Sequence, residues 1–179
     1  DNPALQSYLD NLGGEHLLDK VIPPDNDNFA VAADNSPEAT KKYFNDVAKI
    51  FVLNFAKIKS DLEVLRLAAV GGNPALLKTL DTNIFAIEKT IKEIKKLRTP
   101  SKWIEFAKKD VWYLSKNLAA VKILRNSESD PAAALLILTD RIKLIQDFRS
   151  LYVETAGRLA KENIAFGSKE PATILFFKP

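Results

Sequence analysis

Histidine is where metal and acid–base chemistry would begin, and this chain of 179 residues has one, His16, set between Gly13-Gly14 and Leu17-Leu18. A single imidazole supplies neither a His-based metal set nor a general acid–base pair, so His16 is read as a structural or loop residue. The carboxylates come nearer to a pattern. Asp25 and Asp27 stand at alternate positions with Asp34 further on, as ligands do in a calcium loop. Counted from Asp25, however, the sixth position, which needs glycine, is Ala30, and the twelfth, which needs a bidentate glutamate, is Ser36. A solvated acidic loop is the reading that remains. Glu-x-x-His pairs, which would hold a di-iron centre between helices, do not occur, and the absence of Cys excludes disulfides, thiolate metal sites and a cysteine nucleophile. Nor is there a phosphate-binding loop, dinucleotide fingerprint, serine elbow or zinc-protease motif. Glu63 and Asp110 flank apolar seams and are read as the edge of a solvated face. No catalytic residue, metal or cofactor is expected, and the chain is not read as an enzyme.

Two groupings suggest binding. Lys89, Lys92, Lys95, Lys96, Arg98, Lys102, Lys108 and Lys109 fall within one short stretch, diluted by Glu93 and Glu105. Lys89, Lys92, Lys95, Lys96, Arg98 and Lys102 are the candidate contacts to a polyanion, either nucleic-acid phosphates or anionic lipid headgroups. The competing reading is that these lysines complement a helix dipole and keep the surface soluble. Trp103, Trp112 and Tyr113 share one helical stretch in which Ile104 and Val111 take the core seam. Trp112 and Tyr113 flank that seam, either as half-buried edge residues or as anchors for a protein partner, a role in which tryptophan and tyrosine are favoured.

These residues must be positioned by helices. A polar residue followed by proline occurs at Ser36-Pro37, Asn73-Pro74, Thr99-Pro100 and Asp130-Pro131. Proline suits the first helical turn and the preceding side chain caps an unpaired amide, so four helix starts are predicted, with a shorter one at Asn2-Pro3. Apolar residues then recur at intervals of three and four: Val47, Phe51, Phe55, Ile58, Leu62, Leu65 and Ala69; Leu77, Leu80, Ile84, Ile87, Ile91 and Ile94; Ile104, Ala107, Val111, Leu114, Leu118 and Val121; Leu135, Leu138, Ile142, Ile145, Tyr152 and Leu159. Short connections at Gly71-Gly72, Leu97-Arg98 and Asn126-Ser127 make consecutive helices antiparallel neighbours. The expected fold is all-α, an up-down-up-down four-helix bundle over residues 36–163. Residues 1–35 add a short helix and an irregular strap, pinned by Phe29 and Val31. Residues 164–179 form a short extended tail carrying Ile174, Leu175, Phe176 and Phe177, which lies against the bundle or pairs with the strap near Phe29 to Ala33. A small-molecule pocket between strap and bundle, around Phe29, Phe176 and Phe177, is a further reading.

Hydrophobic residues make up 46% of the chain and charged residues 27%, which excludes collagen-like, disordered and membrane-embedded classes. A net charge of +3 is too mild to announce nucleic acid by itself. The chain contains no Met and begins at Asp1, as expected of a processed or excised piece of a longer product. The stretch Asn28 to Ile50, NFAVAADNSPEATKKYFNDVAKI, with Asp34-Asn35-Ser36 opening a long helix near Ala39 and Tyr43, resembles uncharacterised exported proteins of ultra-small candidate-phyla bacteria. That resemblance implies an extracytoplasmic domain behind a membrane anchor, the cytoplasm being the alternative location. The function expected is a non-enzymatic helical scaffold or protein-interaction module, the alternative being polyanion binding.

Overall fold

Residues 17–25 and 29–176 are described by a computed structural model. His16, Asp27, Phe177 and the helix start at Asn2-Pro3 lie outside them.

The protein is mostly helical, with a small two-stranded parallel sheet. The elements are strand β1 (Ala30–Ala32), helices α1 (Pro37–Phe55), α2 (Asp61–Val70) and α3 (Leu80–Lys96), strand β2 (Arg98–Pro100), and helices α4 (Ile104–Arg125), α5 (Pro131–Lys161) and α6 (Thr173–Phe176). Single 3-10 turns precede β1, α3 and α4.

Two of the proline-marked starts form as capping chemistry dictates. Ser36 Oγ accepts the Ala39 amide at 3.1 Å, and Asp130 Oδ1 accepts the Ala133 amide at 2.9 Å. The other two differ. Asn73 makes no capping bond, and Pro74–Thr79 is a 3-10 turn before α3. Thr99 and Pro100 belong to β2, and the turn that follows is capped from the strap: Asn35 Oδ1 accepts the Lys102 amide at 2.9 Å while Asn35 Nδ2 donates to Ser101 Oγ at 2.7 Å.

The first long helix is divided. After Phe55 the chain leaves helical geometry, and a buried side chain from α3 holds the break open: Asn83 Oδ1 accepts the Lys59 amide at 3.1 Å and Asn83 Nδ2 donates to the Lys59 carbonyl at 2.8 Å. Ser60 then caps α2. The break turns the seam, so Ile58 and Leu62 are exposed while Val64 and Ala68 are buried. At the far end of α2, Gly72 takes φ +57°, the left-handed conformation in which a helix stops, and a Cβ on Gly71 would meet the Leu67 carbonyl at 2.9 Å.

Cross-helix contacts give the directions. Glu88 meets Lys122 and Asp81 meets Arg125, so α3 and α4 run oppositely. Asp110 and Phe106 meet Tyr152 while Tyr113 meets Phe148, so α4 and α5 do too. Phe51 lies 6.4 Å from Phe148 and ties α1 to α5. One core runs through all of these helices, from Leu18 to Ala172, and is richest around Phe44, whose ring meets Tyr43, Trp103, Phe106, Phe166 and Phe176.

The strap pairs with β2, Ala30 opposite Arg98 and Ala32 opposite Pro100, rather than with the C-terminal tail. Phe29 is buried and pins it, whereas Val31 is exposed. The tail is not extended: it turns through Gly167 to Glu170 into α6 and is clasped by Asn45 of α1, which donates to Glu170 Oε1 at 2.9 Å and accepts the Ala172 amide at 3.0 Å.

Candidate functional site

The basic stretch divides among three elements and a turn, Lys108 and Lys109 falling in α4. Spacing of three and four puts Lys89, Lys92 and Lys96 on the outward face of α3, with Arg98 following in β2; Lys95 is half-buried beside them. Lys89 pairs with Glu93 at 3.8 Å. Lys102 is drawn away to the C-terminal end of α5, where it donates to Glu162 Oε2 at 2.6 Å. That bond, strengthened by Arg158, holds the Glu162 carboxyl below the ordinary carboxylate range. Lys92, Lys96 and Arg98 make no ion pair among the described residues, and the last two border a cleft of about 510 Å³ with Lys42, Tyr43, Asp46 and Asp34. Asp46 is already shared by Lys42 and Lys49, and Asp34 accepts the Ser36 amide.

Trp112 and Tyr113 are half-buried and stacked, 5.6 Å apart. The Trp112 indole N–H donates to the Val21 carbonyl at 2.7 Å, and Lys116 lies over its ring at 4.2 Å, so the anchor grips the chain's own strap. Tyr113 meets Phe148 edge-on. Phe176 stacks on Phe166 in a cleft at the end of α5, apart from the one beside the strap.

Asp110 is not on a solvated edge. It is completely buried, with Oδ1 accepting from the Tyr152 hydroxyl at 2.8 Å, while its Oδ2 and the nearby, buried Tyr43 hydroxyl have no hydrogen-bond partner among the described residues. Burial pushes the Asp110 carboxyl up to about 7, and burial together with the Asp110 charge raises both phenols. Nothing in the sequence pattern separates this carboxylate from others beside a seam, because the closing aromatic residue comes from α5, 42 positions away.

The largest departure from expectation is in α5. Of its regular stripe, Leu135, Ile142 and Ile145 face outward over the first half of the helix, with exposures of 53%, 64% and 59%, while Leu138 is half-buried against the core. The buried side is Ala134, Ile137, Leu144 and Leu151, with Tyr152 and Leu159 joining it further on. This helix therefore carries two apolar stripes. The second was legible as Ile137, Leu144 and Leu151, spaced by seven.

Beside the outward stripe lies α2, antiparallel to it. Arg141 of α5 forms an ion pair with the buried Asp61 of α2, and Leu65, Ala68 and Ala69 of α2 face Pro131, Ala134, Leu135 and Leu138 across an apolar groove of about 420 Å³. Leu62, 55% exposed, also stands on α2. Such a pair of helices with an open apolar groove is the form in which an amphipathic helix is received.

No family model matches the chain, and no curated protein or solved structure gives a match. Among the described residues no helix is long and apolar enough to cross a membrane.

Proposed function

We propose that the protein is a non-enzymatic helical interaction module, an up-down-up-down four-helix bundle that presents the outer face of α5 and the adjoining α2 to a protein partner. One observation carries the reading: the most regular apolar stripe in the longest helix, Leu135, Leu138, Ile142 and Ile145, stands largely outside the core. Large apolar side chains at helical spacing, beside a groove lined almost wholly by carbon, are the composition of a docking face rather than of a solvated one. The extracytoplasmic location proposed for the module rests on the resemblance of residues 28–50 to exported proteins.

A photo-crosslinking residue at position 142, compared with one at Lys92 on the outward face of α3, tests the proposal in cells making the full gene product. A discrete adduct from position 142, absent from position 92 and lost with Leu135→Arg, is expected. Equal or no labelling from both positions would contradict it.

A second reading is supported by Lys92, Lys96 and Arg98, which make no ion pair among the described residues, the last two bordering the 510 Å³ cleft. About three phosphate contacts give an affinity for oligonucleotides or anionic vesicles that falls as roughly the third power of salt concentration. No change in anisotropy at low salt and about 50 μM protein would dismiss it.

A further inference from the structure

We infer that the partner seated on the outer face of α5 is a second copy of this chain, its α5 crossing antiparallel about a two-fold axis level with Asp140. This rests on the reading of α5 as a docking face and names its occupant.

The first support is the spacing. Leu135, Leu138, Ile142 and Ile145 are separated by three, four and three residues, a sequence of steps that reads the same in both directions. A two-fold contact brings each surface onto itself reversed, and this stripe, like any stripe of three-and-four steps, can meet its own copy in register. With the axis level with residue 140, Leu135 lies opposite the partner's Ile145 and Leu138 opposite the partner's Ile142.

The second support is charge. The same register sets Arg149 against the partner's Pro131, next to Asp130 and Glu128 at the start of the partner's helix. Arg149, Glu128 and Asp130 are all exposed, and Arg149 makes no ion pair among the described residues. A parallel pairing would set Arg149 against Arg149. The N-terminal end of each α5 is thus acidic where the other copy is basic, at both ends of the contact.

The third is area. Leu62, Leu135, Ile142 and Ile145 are each more than half exposed, and Leu138 is half-buried. At roughly 50 Å² of apolar surface apiece these give roughly 500 Å² in the pair, and about 900 Å² once a polar rim of ordinary proportion is added. That is below the roughly 1,200 Å² at which stable specific interfaces begin, so a weak dimer, dissociating at micromolar concentration or above, is the expected form.

The experiment is sedimentation equilibrium of the whole chain from about 5 to 200 μM, the range such an interface implies, together with disulfide trapping in a chain that has no native cysteine. A monomer–dimer equilibrium is expected. Ile142→Arg should weaken it at least tenfold without changing the far-ultraviolet circular dichroism, and Arg149→Glu should weaken it less, with partial recovery on adding Glu128→Arg. On oxidation, a mixture of Leu135→Cys and Ile145→Cys chains should give the mixed disulfide in preference to either homodimer. A monomer throughout the range, or preferential homodimers of Leu135→Cys, would overturn the inference. If the chain stays monomeric while position 142 still gives its discrete adduct, the docking face stands with another protein as occupant; if the adduct is absent too, both readings fall.

Discussion

Asp110 is the residue whose chemistry departs furthest from what its place in the sequence suggests. The unfolded chain releases its proton near the ordinary carboxylate value, whereas the folded protein keeps it until about pH 7. A folded acid that is harder to ionise stabilises the protein fully only at low pH. The contribution therefore declines as pH rises from about 4 towards 7 and levels off above. Lowering the pH from 7.5 to 5.5 should raise the unfolding free energy by about 2 kcal/mol, read by denaturant titration. Asp110→Asn, which still accepts from the Tyr152 hydroxyl, should flatten that slope. Glu162, whose carboxyl is held low, acts in the opposite sense and only at more acid pH, as it protonates. At this scale the sequence showed which residues were absent, His pairs and Cys above all, but not that a carboxylate on α4 and tyrosines on α1 and α5 meet in the core.

Among the elements, the capping residues of α1 and α5 were legible because capping is local: Ser36 and Asp130 lie three residues from the amides they bind. The break between α1 and α2 was not, because its cause lies 24 residues away in Asn83. Asn83→Ala leaves the Lys59 amide and carbonyl without that partner and should cost about 1–3 kcal/mol of stability, measured by thermal or denaturant unfolding. A continuous helix through residues 56–60 would instead make the substitution nearly neutral. The orientation of α5 was hidden for a different reason. Periodicity finds an apolar face but does not say which of two faces a neighbour covers, and in α5 the smaller stripe, with Ala134 in it, is the one inside. In α3 and α4 there was a single stripe to choose, and Ile87, Ile94, Val111, Leu114 and Val121 are buried as expected.

Across the whole molecule, both ends of the described chain are fastened to the helices by polar side chains: Trp112 holds the strap at Val21, and Asn45 holds the C-terminal turn at Ala172. Trp112→Ala should leave the helices intact, lower stability by about 1–2 kcal/mol, and raise amide exchange in residues 17–25 more than elsewhere. Uniform exchange would show that the indole supports the core rather than the strap. With the strap taking up Trp112, a broad apolar surface remains on α5 and α2 among the described residues. Its position decides between an internal seam and a docking face, and thermal melting of Ile142→Asp beside Ile137→Asp decides it most directly. Ile137 is fully buried, so a carboxylate there should cost several kcal/mol and lower the melting temperature by about 10 °C or more. Ile142→Asp, measured below the concentration at which copies associate, should melt within about 2 °C of the parent. Equal losses from the two substitutions would put Ile142 in the core and contradict the account.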